Sequence, residues 1–238
     1  MEGYVWYRSL MEGDEGEIYD GLYRALKGEE SERRVPKCDP ARLSVILELV
    51  CMDHPEIFWS EGYRYRSVRG EPTMTVLPTY SFAGKKQRAL AESLEIRTSR
   101  ILSPLAALPA EDALEQIHRF VLEQVKYDRV KKNYSHQILG VLHHGIGVCE
   151  GIAKTVKHLC DRLDIPAIVV LGPGSPEQGA QRHAWNLIRI GSLWRHYDFT
   201  YDLSASRPSY ACHRYYAMTD EVCYASHGPS EHPLPPCR

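Results

Sequence analysis

The chain has no hydrophobic run long enough to cross a membrane: its longest, such as Ile165 to Leu171, falls far short of the ~20 residues a spanning helix needs. It has no excess of charge either. Lys+Arg 29 against Asp+Glu 31 leaves a net −2 over 238 residues. That gives no global basic field, so neither nucleic acid nor an anionic membrane is an expected partner. No C-x-x-C pair occurs. The seven cysteines, at 38, 51, 149, 160, 212, 223 and 237, are odd in number and irregular in spacing. They read as reduced thiols, mostly acting as small buried hydrophobes. The start, Met1-Glu2-Gly3-Tyr4, has no basic residue ahead of an apolar stretch. No signal peptide is visible there, and the expected location is cytoplasmic, or extracellular if a leader has been removed. What is present is ordinary for a soluble globular protein: 43% hydrophobic and 25% charged residues, enough chain to bury a real core.

Periodicity predicts helices over 13–27, after the Asp39-Pro40 cap to His54-Pro55, over 84–102 and over 110–127. The 110–127 helix has an apolar stripe at Ala113, Ile117, Phe120, Val121 and Val125. Tyr63 to Val68 alternates like a strand, with Met74 to Phe82 as its hairpin partner. Three segments read as irregular: the charged stretch Glu29 to Lys37, the loop Gly172 to Gly179, and a loosely held proline-rich tail, Gly228 to Pro236. The basic run Lys126 to Lys132 reads as a solvated cap at a helix C-terminus.

Chemistry concentrates after Gly145-Ile-Gly-Val-Cys-Glu-Gly151. Ile152, Val156, Leu159 and Leu163 form one helical stripe beginning just after Cys149, with Ala153 and Cys160 beside it. Cys149 therefore falls in the first turn of a buried helix, where unpaired backbone N–H groups and the positive end of the macrodipole favour a thiolate and an oxyanion. Taken alone, such a cysteine is more often an inert buried residue. Downstream, His183-Ala-Trp-Asn-Leu-Ile-Arg-Ile190 and Leu193-Trp-Arg-His-Tyr-Asp-Phe199 flank Gly191-Ser192, a two-residue type II′ hairpin turn. That register sets Ile190 opposite Leu193, Trp185 opposite Asp198 and His183 opposite Thr200. His183 and Asp198 become diagonal neighbours roughly 7–8 Å apart at the backbone. A carboxylate there fixes the imidazole tautomer and supports its protonated form. If the Cys149 helix packs on that sheet face, the three side chains form a thiolate–imidazole–carboxylate set.

Gly-Val-Cys149-Glu-Gly, His183-Ala-Trp-Asn and His196-Tyr-Asp198-Phe-Thr-Tyr-Asp, in this order, resemble the transglutaminase-like superfamily, of papain-like fold. Ile152 and Tyr201 stand where its bacterial members often have Tyr and Trp. The resemblance is strong from about 115 to 202 and extends through Arg214 to Asp220; Asp53 to Trp59 shows a weaker likeness to the helical lead of some relatives. It implies an α+β, papain-like core over 105–238, with the nucleophile helix packed on an antiparallel sheet. A mainly helical region with a small β-hairpin precedes it, over 1–104. It implies Cys149 as nucleophile, His183 as general base and then acid, and Asp198 as the residue orienting His183. Gln137 is a candidate second oxyanion donor beside the Cys149 N–H, and Trp185 a candidate cleft wall. No cofactor is implied.

Three function classes follow. The favoured one is a cysteine peptidase or amidase acting on a peptide, protein or peptidoglycan-type amide. The others are a transferase joining glutamine to an amine, and a binding module that keeps the fold without activity. The intact Cys149, His183 and Asp198 weigh against the last. His143-His144, His158-x-Cys160, Cys212-His213 and Cys223-x-x-x-His227 lack the paired spacing of a metal site, so none is expected.

Overall fold

A computed structural model describes residues 3–175, 181–207 and 210–237, so the 176–179 part of the expected loop lies outside the described residues. The chain divides into two compact units, Val5–Ser93 and Leu94–Arg238 together with Met1–Tyr4. That division lies inside one helix, ahead of the sequence-based boundary at 104/105. The reason is that Leu102 and Leu105 already belong to the second unit's core.

In the first unit, helices α1 (Gly13–Lys27) and α2 (Pro40–Asp53) accompany a three-stranded sheet of β1 (Arg33–Pro36), β2 (Ser60–Ser67) and β3 (Thr73–Tyr80), ordered β1-β3-β2. Asp39 caps α2 through Ala41 N–H at 2.7 Å, and His54 ends it, as the Asp-Pro and His-Pro pairs imply. The charged stretch 29–37 is not all loop. Its Val35 turns inward, 2% exposed, and pairs with Met74, making β1 an edge strand that ends on Pro36.

Helix α3 (Gly84–Leu102) leads into the second unit. There α4 (Ala110–Gln124), α5 (Ile138–His144), α6 (Cys149–Asp161), α7 (Phe199–Ala205) and α8 (Asp220–Tyr224) surround two sheets. One is a short parallel pair, β4 (Lys126–Tyr127) and β5 (Ile146–Gly147). The other is antiparallel: β6 (Ala167–Pro173), β7 (Arg182–Ile190) and β8 (Leu193–Tyr197), with β7 in the centre. Helix α6 is buried on nearly every side. Its Ile152, Val156 and Leu159 join Ile117 and Val121 of α4 and Ile188 of β7 in one core. Helix packed on sheet around one hydrophobic centre makes this an α+β unit. No helix among the described residues is long and apolar enough to cross a membrane.

Three expectations change here. Lys126-Tyr127 is a strand, because its backbone pairs with Ile146-Gly147 just before Cys149. Gly172-Pro173 closes β6 opposite His183-Arg182, so the loop starts later than its composition implies. The tail is held: Gly228 N–H donates to Pro173 C=O and Glu231 N–H to Leu171 C=O, while Cys237 and Asp220 exchange two hydrogen bonds.

Candidate active site

Cys149 is the first residue of α6, half-buried, after the extended Val148. The turn before it is built by Asp128, whose carboxylate takes the Ser135 hydroxyl and the N–H groups of Lys132 and Val130. Those bonds, the Ser135 hydroxyl first, hold its pKa down to about 2. The Ser135 carbonyl in turn accepts the Val148 N–H at 3.0 Å. It lies so close to the first turn of α6 that a Cβ on Gly151 would fall 2.1 Å from it. Glycine two residues after the cysteine is therefore a steric requirement of this turn. Between them, Glu150 pairs with Lys154 at 2.6 Å and with His136 at 3.0 Å, a carboxylate suited to a helix N-terminus.

The hairpin forms in the expected register from Ile190↔Leu193 to Asn186↔Tyr197, with Gly191 at φ 60° as its turn requires. It then departs. Asp198 leaves the strand to become the N-cap of α7, and Thr200 is helical, so Thr200 does not face His183 across the sheet. His183 pairs instead with Gly172 of β6. Nor does α6 pack on the face carrying His183 and Trp185. Asn186, on the alternate set, donates to Ala153 C=O of α6 at 2.9 Å, and the thiol meets His183 at the strand's end.

His183 Nε2 lies 2.7 Å from Asp198 Oδ2, and its imidazole interacts electrostatically with the Cys149 thiol. The structure thus brings Cys149, His183 and Asp198 together. Asp198 is fully buried and its acceptor capacity is full: Oδ1 takes Thr200 N–H (2.9 Å) and Tyr201 N–H (3.0 Å), and Oδ2 takes His183 and, at 2.9 Å, His227. Burial alone would raise the Asp198 pKa, but the charge and hydrogen bond of His183 and the bond from His227 hold it well below the usual carboxylate range. For His183, burial works downward and is outweighed by Asp198 and then Cys149, so its pKa stands at about 10. Because that value is raised, the pair's contribution to stability is complete below the ordinary histidine value of ~6.5 and is lost as pH climbs through about 10.

His227 was not among the expected site residues. Its only sequence signal is its spacing from Cys223, which points to metal rather than to Asp198. Two tyrosines complete the surroundings. Tyr201 stacks on His183, ring centroids 4.5 Å apart, and its hydroxyl accepts Ser175 N–H. Tyr127, partly exposed on β4, interacts electrostatically with Cys149. Trp185 is 1% exposed, packed against Gly172 and His227 with its indole N–H donated to His196, so it supports the site from behind and walls no open cleft. Gln137 caps α5, its side-chain oxygen 3.4 Å from Lys154 Nζ. Its backbone N would lie 3.4 Å from a Cβ on Gly151, which sets it beside the first turn of α6.

Residues 101–199, which span α6, β7, β8 and the three side chains above, match the family model of the Transglutaminase-like superfamily. This segment is similar to a transglutaminase-like core. Among solved structures, the chain is similar to a TGase at 13% identity and TM-score 0.43, over 62% of this chain and 46% of that one. It is similar to a candidate cysteine protease from Cytophaga hutchinsonii at 18% identity and TM-score 0.36, over 58% and 61% of the two chains. A candidate protease from Parabacteroides distasonis aligns at 10% identity and TM-score 0.33, over 56% and 35%. The alignments thus cover less than two thirds of each of those proteins. A comparison with curated proteins gives no match. The matched segment is α+β, with the cysteine-bearing helix against an antiparallel sheet.

Proposed function

We propose that the protein is a thiol-dependent acyl-transfer enzyme that acts at amide bonds through a thioester on Cys149, with water as the second acceptor. The substrate class is a peptide, protein or peptidoglycan-type amide. One observation carries this reading: a buried carboxylate, Asp198, hydrogen-bonded to His183, whose imidazole interacts with a half-buried thiol at a helix N-terminus.

In this reaction the Cys149 thiolate attacks the amide carbonyl while His183 is the imidazolium. The developing oxyanion is met by the backbone N–H of Cys149, which at the first position of α6 has no intrahelical acceptor. The Gln137 side-chain amide is the second donor. His183 passes its Nδ1 proton to the leaving amine, the C–N bond breaks, and a thioester remains. Water then adds to the thioester as His183 takes one of its protons; the acid departs and the thiolate returns. Asp198 stays ionised throughout and supports the imidazolium. Hydrolysis is the reading that asks for no further feature, since water needs no dedicated acceptor pocket.

Iodoacetamide labelling against pH, with each site assigned by mass spectrometry, tests the assignment. Cys149 is expected to react faster than the other six cysteines at neutral pH and to lose that advantage in His183→Ala. Labelling of Cys149 no faster than the rest, or unchanged in His183→Ala, would overturn the ion-pair reading. Amide substrates with and without an added amine then separate hydrolysis from transfer.

A second expectation follows from the imidazolium. Steady-state kcat/KM should hold through neutral pH and fall on an alkaline limb near the His183 value of about 10, where the proton needed by the leaving amine is lost. A limb near the ordinary histidine value of ~6.5 would mean that Asp198 does not support the charged form.

A further inference from the structure

Away from Cys149, three side chains converge without a task in the reaction above. Glu115 and His118 sit one turn apart on α4, a spacing that points both to one face of the helix. The segment after α7 brings His213 over that face. One ligand-capable atom from each of the three lies within 4.8 Å of the others.

The hydrogen bonds around this cluster orient it. His118 is 1% exposed, and its Nε2 lies 3.0 Å from Asp202 Oδ2, a carboxylate also 1% exposed that receives the Tyr215 N–H on its other oxygen. With Nε2–H donated to Asp202, Nδ1 carries the lone pair. That nitrogen is shut off from solvent and has no hydrogen-bond partner among the described residues. Leaving such an acceptor unsatisfied costs roughly 1–3 kcal/mol, so a buried site with a free nitrogen calls for an explanation. His213 is the mirror case. Its Nδ1 donates to Ala211 C=O at 3.3 Å, which turns Nε2 toward Glu115, 2.9 Å away. Each histidine therefore has one nitrogen held by an oxygen acceptor outside the cluster, leaving His118 Nδ1 and His213 Nε2 as its candidate ligand atoms. This is how proteins orient metal-bound imidazoles.

We propose that Glu115, His118 and His213 form a zinc site, with His118 Nδ1, His213 Nε2 and a Glu115 oxygen as ligands and the fourth position open. Two imidazoles and one carboxylate suit a borderline ion such as Zn²⁺ better than Ca²⁺ or Mg²⁺, which take oxygen. Tetrahedral ligands about 2.0–2.1 Å from zinc lie roughly 3.3 Å apart, closer than the present spread. Glu115 and His213, both with side chains 44% exposed, close that gap by shifting toward His118, which Asp202 holds still. Binding displaces the proton between Glu115 and His213 and ties α4 to the chain that follows α7. The thiol of Cys212, beside His213, is buried, interacts electrostatically with Asp202 and is not among the three converging ligand atoms. The Cys212-His213 pair is thus half of a site whose other half lies on α4, which is why pair spacing alone does not reveal it.

Titrating the full chain with Co²⁺, followed by competition with Zn²⁺, tests the proposal. One equivalent of Co²⁺ should give visible d–d bands without a thiolate charge-transfer band, and Zn²⁺ should displace it. Glu115→Ala and His213→Ala change exposed side chains and should keep the fold, checked by circular dichroism and metal-free Tm. Each should weaken binding at least roughly tenfold. Zn²⁺ should raise the Tm of wild type but not of the variants. The proposal is overturned if folded wild type binds no metal, if both variants bind as wild type does, or if a thiolate band shows binding at cysteine.

Discussion

Replacing Asp198 with asparagine is expected to lower kcat by roughly 10³- to 10⁴-fold while the protein stays folded. The carboxylate serves two masters. Oδ1 caps α7 through Thr200 and Tyr201, and Oδ2 accepts from His183 and His227. An amide has one oxygen. If that oxygen keeps the cap, its NH₂ group faces two imidazole nitrogens that must now accept rather than donate. His183 is then driven to the tautomer that presents Nδ1–H to the thiol, and it can no longer take the thiol's proton. The imidazolium also loses the charge that holds its pKa at about 10. Asp198→Ala removes the cap as well and should cost a further ~0.5–2 kcal/mol of stability. Alkylation separates the roles, since Asp198→Ala should slow labelling of Cys149 less than His183→Ala does. If Asp198→Asn turned over within tenfold of wild type, His183 would have to be oriented by another group.

The second large effect lies at the other end of α6. Lys157 is fully buried, with Nζ bonded to Asp161 at 2.9 and 3.1 Å, to Tyr4 C=O at 2.7 Å and to Ala167 C=O at 3.1 Å. Asp161, whose side chain is 10% exposed, also takes the Tyr4 N–H. Lys157→Ala removes the cation and leaves a buried carboxylate and two carbonyls behind. The expected loss is about 3–5 kcal/mol, a large share of the ~5–15 kcal/mol that folds a typical domain. Lys157→Met should lose nearly as much despite filling the space, and Lys157→Met combined with Asp161→Leu should recover part of it, because no unpaired charge remains. Urea unfolding measures all three. A loss below about 1 kcal/mol for Lys157→Ala would mean that the pair contributes no more than a surface ion pair.

Local physics made much of the site legible. The Gly-Ser turn dictates the β7–β8 register, the stripe from Ile152 to Leu159 dictates which face of α6 is core, and Asp39-Pro40 dictates where α2 begins. Each depends on residues within a few positions of one another. His227 was not legible, since nothing near it in the chain refers to Asp198, 29 residues earlier. It reaches Asp198 because the tail pairs through Gly228 and Glu231 with Pro173 and Leu171 of β6, an edge strand with backbone groups to offer. Val35 made a strand of a charged segment for a similar reason, one inward apolar residue beside an open sheet edge.

By itself the sequence determined that a glycine-flanked cysteine starts a helix and that a tight hairpin carries His183 toward Asp198, because turn chemistry and periodicity act over short range. Only the tertiary structure decided that Asp198 leaves its strand to cap α7 and serve two histidines. It also decided that Lys157 is buried with Asp161 and that Glu115 and His118 meet His213. Those outcomes depend on which distant groups can satisfy a buried charge or nitrogen, and that is settled only when the elements pack.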